Sequence, residues 1–202
     1  MPDPVTLDRL FHDPAMFDSP SHWRRTGFEV EGEGLPSSIM VASHTLTPGG
    51  LFKKYSKSVP LKKQRDNYRR RIKGANKLRD FITDQQLSRF VVPQKHLYAL
   101  TPVFSYKGAP AYVLVVEKLL LLNSAASKQQ YLELDNEGLR QLCTVLRAFE
   151  GLDSGVRNIP FTANGQIAFI DTERWDEKKE VPLHHVRKYL SDKQRRFTER
   201  LF

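Results

Sequence analysis

Residues 151–173 read G-L-D-S-G-V-R-N-I-P-F-T-A-N-G-Q-I-A-F-I-D-T-E. Asp153-Ser154-Gly155 is turn-like, Asn158-Ile159-Pro160-Phe161 opens a short apolar strand, Asn164-Gly165 is a two-residue hairpin signal, and residues 167–170 form a buried return strand. Asp171 lies just past that strand, so Asp153, Asn158 and Asp171 are expected to converge at one end of the hairpin. Hard oxygen donors of this kind suit Mg2+, which keeps several waters and takes further ligands from substrate phosphates. Taken singly, each of the three is also an ordinary turn former or strand-end cap. Their order around one hairpin is what points to a site.

Outward from this stretch, the 202-residue chain is long enough for one substantial core or for two small lobes sharing a cleft. It contains no apolar run of membrane-spanning length, and its N-terminus lacks a cleavable secretory pattern, so a soluble protein is expected. Cys143 is the one cysteine, which rules out an internal disulfide, fits a reducing compartment and leaves a thiol catalyst without support. Between Lys53 and Arg79 there are twelve Lys or Arg against the single acid Asp66, so this segment carries +11 of a net +9 and the remainder is −2. One local basic patch argues for a polyanion such as RNA, an acidic phospholipid headgroup or an inositol phosphate at that place. A solvated helix face is the plain alternative.

Residues 1–27 are rich in Pro, Asp, His and Ser and read as a loosely structured arm with one short helix. Alternation at 28–31 and 39–42 gives two strands around a turn that contains Gly32 and Gly34. Leu51-Phe52-Lys53-Lys54-Tyr55 is the next strand, with Lys53 and Lys54 on opposite faces and Lys54 the solvent-facing one. Apolar residues at helical steps from Tyr68 to Ile82 give a helix over 64–87. Residues 111–116 are the most apolar strand and run into Glu117-Lys118-Leu119, while 123–130 is small and polar, a linker. A helix through Leu139, Leu142, Cys143, Leu146 and Phe149 starts at Asp135-Asn136 and stops at Gly151. The last 31 residues hold Trp175 and one amphipathic helix from Val186 to Leu201. His184 and His185 have no third ligand at useful spacing.

The frame D-x-x-x-x-N at Asp153 and Asn158, then a hairpin, an apolar strand and Asp171, resembles the protein kinase superfamily. Leu51-Phe52-Lys53 is similar to that family's lysine strand, the Gly32 and Gly34 turn to its phosphate-covering loop, and Glu117 to Leu119 to the hinge that meets the adenine edge. The resemblance implies an α+β, two-lobed kinase-like fold: an arm (1–27), an antiparallel N-lobe sheet plus one helix (28–118) and a reduced C-lobe (119–202). It implies ATP and Mg2+ as cofactors. Asp153 would accept the acceptor proton, Arg157 would add positive charge, Asn158 and Asp171 would hold metal, and Lys53, Gly32, Gly34, Glu117 and Leu119 would bind nucleotide. With so little chain after Asp171, the pattern is similar to minimal atypical kinases among secreted bacterial effectors. It therefore implies a monomer that phosphorylates a protein Ser or Thr, a host protein included, from the cytoplasm or after secretion into a host cell. Gly151-Leu152 stand where the family has His-Arg, Gly155 where it has a lysine, Thr172-Glu173 where it has Phe-Gly, and the 64–87 helix offers Asp80 or Asp84 in place of a glutamate. Two other readings stay open: a nucleotide-binding pseudokinase or different nucleotidyl or phosphoryl transferase, and a polyanion-binding module that uses the 53–79 patch.

Overall fold

The computed structural model describes residues 2–12, 19–31, 39–55, 59–100, 111–178 and 183–201. In chain order these form α1 (Pro4–Leu10), α2 (Pro20–Arg25), β1 (Phe28–Glu31), β2 (Ile39–His44), β3 (Gly50–Tyr55), α3 (Leu61–Asp84), β4 (Phe90–Val91), β5 (Lys95–Ala99), β6 (Tyr112–Glu117), α4 (Ser124–Glu133), α5 (Asn136–Ala148), β7 (Ile167–Ala168), a 3-10 turn (Val186–Tyr189) and α6 (Asp192–Glu199). The class is α+β. Two compact units result: Met1–Ile72 with Gln94–Lys118, and Lys73–Pro93 with Leu119–Phe202. No helix among the described residues is long and apolar enough to cross a membrane.

The first unit is built on a five-stranded antiparallel sheet in the order β1-β2-β3-β6-β5. Its strands are short and rich in β-branched and aromatic residues, and β6 reads Y-V-L-V-V-E with four consecutive buried positions because both of its faces are covered. One face, with Phe28, Ala42, Phe52, Val113 and Val115, packs against Leu7, Leu10, Phe11 and Trp23. The expected loose arm is thus two helices, not one. Asp3 caps α1 by accepting from the Thr6 amide, Ser19 caps α2 by accepting from the His22 amide, and Pro4 and Pro20 open them. The polar composition hid this because a few large apolar side chains are enough to bind such an arm to a sheet.

The other face carries Tyr55, Leu114 and Val116 against Tyr68 of α3. The Tyr68 hydroxyl accepts from the Tyr55 amide at 2.9 Å and donates to the Lys53 carbonyl at 3.1 Å, and its burial raises the phenol well above its ordinary value. The helix that offers no glutamate is therefore tied to the lysine strand by a tyrosine. Lys54 does not face solvent as its position predicts: it is buried, with Nζ donating to the Tyr55 carbonyl and to Gln64 Oε1 at 3.4 Å each. Alternation puts the two lysines on opposite faces as expected, but helices cover both faces, so neither face is solvent.

The second unit is organised on α5, whose Leu139, Leu142, Cys143, Val145 and Leu146 enter one core with Leu78, Phe90, Phe161 and Phe169. Asp135 caps α5, its Oδ1 accepting from the Gly138 amide at 2.7 Å while Arg89 pairs with Oδ2; both contacts hold its carboxyl below the usual range. Burial pushes the Cys143 thiol up to about 11. The polar run read as a linker is α4, capped by Asn123 and closed by the buried Gln194 amide, which donates to the carbonyls of Tyr131, Leu132 and Leu134. The single C-terminal helix expected from the apolar pattern is two elements, because Ser191 and Gln194 form a capping box that restarts the chain as α6.

Candidate active site

Asp153, Asn158 and Asp171 all lie in the second unit. Past α5 the chain turns through Gly151 to Asp153, whose Oδ1 accepts from the Gly155 amide at 2.9 Å. The Gly155 carbonyl then accepts from the amides of Asn158 (2.7 Å) and Ile159 (3.0 Å), so the six residues from Asp153 to Asn158 make one compact turn. The Asn158 carbonyl accepts from the Ile170 amide at 3.0 Å, which sets Asn158 beside the residue that precedes Asp171. Asp171 repeats the local device of Asp153: its Oδ1 accepts from the Glu173 amide at 3.1 Å.

The hairpin between them differs from a two-residue turn. Thr162 and Gln166 pair across three residues, the Gly165 amide donates to the Thr162 carbonyl, and Gly165 alone of these adopts positive φ, at 78°. This is the three-residue loop with a glycine in the left-handed region. The return strand is shorter than expected and gains a second neighbour, with β7 pairing in parallel with β4 and the Phe169 amide donating to the Val91 carbonyl at 2.9 Å. Buried Ile159, Phe161, Ile167 and Phe169 hold this frame in the core.

Two α4 side chains fasten it further. The buried Tyr131 hydroxyl donates to the Ile159 carbonyl at 2.6 Å, and Ser127 Oγ accepts from the Phe161 amide at 3.2 Å. Tyr131→Phe should cost about 1–2 kcal/mol, since a buried carbonyl loses its donor, as measured by urea unfolding. Burial raises the Tyr131 phenol well above its ordinary value. Its contribution is therefore intact below pH about 10 and is lost as pH rises beyond it, and the variant's alkaline limb should be flatter.

Beyond Asp171 the chain is pressed into close contact on two sides. A Cβ on Gly74 of α3 would lie 2.3 Å from the Thr172 carbonyl oxygen and 2.6 Å from Trp175 Cδ1. A Cβ on Gly151 would lie 1.7 Å from the Arg174 carbonyl oxygen. Trp175 also receives the Lys73 ammonium over its ring at 5.5 Å and meets Phe149 at 6.5 Å between centroids.

This packing leaves a cavity of about 320 Å3 lined by Asp153, Asp171, Glu173 and Arg174. A larger open groove of about 670 Å3 in the first unit, beside Val5, His12, His44 and Leu46, has no comparable convergence of carboxylates. Among the described residues no three His, Cys, Asp or Glu side chains are grouped to hold a metal by themselves. The donor set fits Mg2+ nonetheless, because that ion needs only one or two carboxylates and completes its shell with water and phosphate oxygens.

Asp153 and Asp171 share this cavity, and Asn158 is half-buried and joined to the return strand through its backbone. Arg157 is exposed and is not part of the cavity's described lining. Glu173 and Arg174 are lining residues that the sequence did not single out; their adjacency to Asp171 and to the anchoring Trp175 was the available signal. Lys53 is half-buried on β3, and the Glu117 amide donates to the Gln94 carbonyl at 2.9 Å, so that N–H is not offered to a base edge. Leu119, half-buried, is the first residue of the second unit's longer segment, and Gly32 and Gly34 lie outside the described residues. Asp80 and Asp84, the candidate substitutes for the missing glutamate, are exposed. No protein-family model matches the chain, and no curated protein matches it significantly.

Proposed function

We propose that the chain is a minimal phosphotransferase of the protein-kinase type, passing the γ-phosphoryl group of ATP to a serine or threonine hydroxyl of a protein, a host protein included. The observation that carries this reading is the single cavity lined by Asp153 and Asp171, with Asn158 joined by its carbonyl to the Ile170 amide. Asp171 and Asn158 are the residues to hold Mg2+, which when bound supplies charge neutralisation at the β- and γ-phosphate oxygens. Asp153 orients the acceptor hydroxyl and takes its proton as the new O–P bond forms, while the bond from the γ-phosphorus to the bridging oxygen breaks and ADP leaves. By the resemblance alone, Lys53 is the residue assigned to the phosphates, and Gly32, Gly34, Leu119 and Glu117, through groups other than its bonded amide, are those assigned to the nucleotide.

A second reading is favoured by one surface. Lys62, Lys63, Arg69, Lys73 and Lys77 are exposed on α3 with Asp66 and Asp80, a cationic face for a polyanion. It is smaller than the sequence count because Lys54 and Arg71 are buried and Arg79 donates to the Pro93 carbonyl. Incubation with γ-labelled ATP, Mg2+ and a generic protein acceptor, beside salt titrations of nucleic-acid and inositol-phosphate binding, separates the two. Label on the acceptor is the expected result. Salt-sensitive polyanion binding with no label would favour the binding module.

A further inference from the structure

We infer that Arg174 is the cation that contacts the terminal phosphate in this cavity, an assignment that rests on the phosphotransferase reading above. Arg174 lines the same cavity as Asp153 and Asp171, whereas Arg157, the arginine inside the Asp153 to Asn158 turn, is exposed outside the described lining. The positive charge that sequence reasoning assigned to Arg157 therefore moves to Arg174.

The placement of Arg174 is set by backbone. Its carbonyl oxygen occupies the space where a Cβ on Gly151 would stand, and Gly151 is two residues before Asp153. Trp175, the next residue, is packed on Gly74 and Phe149. The Arg174 backbone is thus packed at its own carbonyl and at the residue that follows, while its side chain extends outward. That side chain is 66% exposed and its Nε lies 3.8 Å from Glu177 Oε2. Exchanging such a loose surface pair for a doubly charged phosphate costs little.

Charge supports the same role. Asp153, Asp171 and Glu173 line the cavity beside one arginine, Arg174. With a divalent cation held there, Arg174 is the cationic side chain of the described lining that can receive an anion. Its planar fork donates to two phosphate oxygens at once, which a lysine ammonium cannot match. As the bond to the bridging oxygen breaks, those donors meet the charge on the transferring group without reorganising.

The experiment uses the full chain and the variants Arg174→Ala, Arg174→Lys, Arg157→Ala and Asp171→Ala, each checked by thermal melt. Calorimetric affinities are measured for Mg2+ with ATP, ADP and tripolyphosphate, followed by phosphoryl transfer. Arg174→Ala should weaken ATP and tripolyphosphate binding about tenfold, with a smaller effect on ADP, and lower kcat/KM about a hundredfold. Arg174→Lys should fall between it and the parent. Equal ATP affinity in Arg174→Ala and the parent, equal weakening of ATP and ADP, or a larger loss in Arg157→Ala overturns the assignment. If Asp171→Ala loses transfer while Arg174→Ala does not, only the Arg174 inference falls. If Asp171→Ala transfers like the parent, the phosphotransferase reading itself falls.

Discussion

Gly151→Ala should lose about 3 kcal/mol or more of stability, toward the upper end of what overpacking costs, and with it nucleotide binding. The added methyl would meet the Arg174 carbonyl oxygen at 1.7 Å and the Glu177 carbonyl oxygen and amide nitrogen at 2.6 and 2.8 Å, all of them backbone. No side chain can turn away to relieve the contact, so a main-chain segment must move. The glycine is required for space and not for its dihedral angle, since among the described residues the positive-φ glycines are Gly27 and Gly165. For a domain of this size the loss corresponds to a melting temperature lower by roughly 10 °C. Gly74→Ala is the companion measurement. Helix propensity by itself would favour alanine there by about 1 kcal/mol, while the contact at 2.3 Å with the Thr172 carbonyl opposes it. A melting temperature at or above the parent's in either variant would mean that residues 172–177 are not clasped as the structure places them.

Asp171→Ala should lower phosphoryl transfer by about a thousandfold or more, the several kcal/mol expected when a metal-holding carboxylate is removed. The same substitution removes the acceptor of the Glu173 amide, at about 1 kcal/mol of stability. Asp171→Asn separates the two effects. Its amide oxygen can still accept from Glu173, so its thermal melt should track the parent's while transfer stays low. Transfer equal to the parent's in Asp171→Ala would sink the assignment of that residue, and an Asp171→Asn protein as active as the parent would show that the charge is not used.

Much of this architecture can be read from local pattern. The helical spacing from Tyr68 to Ile82 lies within α3, the apolar run at 111–116 is β6 within one residue at each end, and Asp135 does start α5. Each is set by interactions within a few residues, and so it shows in the order of side chains. What depends on distant partners did not show. Four large apolar residues among the first 27 secure α1 and α2 to the sheet, Gln194 closes α4 from 60 or more residues away, and Lys54 is buried because helices cover both faces of its sheet.

The opening turn is legible in the order of residues: the spacing of Asp153 and Asn158, a reversal at Asn164-Gly165 that is one residue wider than expected, and a strand before Asp171 that is shorter than expected all follow from short-range dihedral preference and alternation. Which residues share the cavity depends on contacts between segments distant in sequence. Glu173 and Arg174 line the cavity with Asp153 and Asp171, and the Arg174 carbonyl occupies the space above Gly151. That contact joins two backbone segments through the absence of a side chain, which a string of residue types does not display.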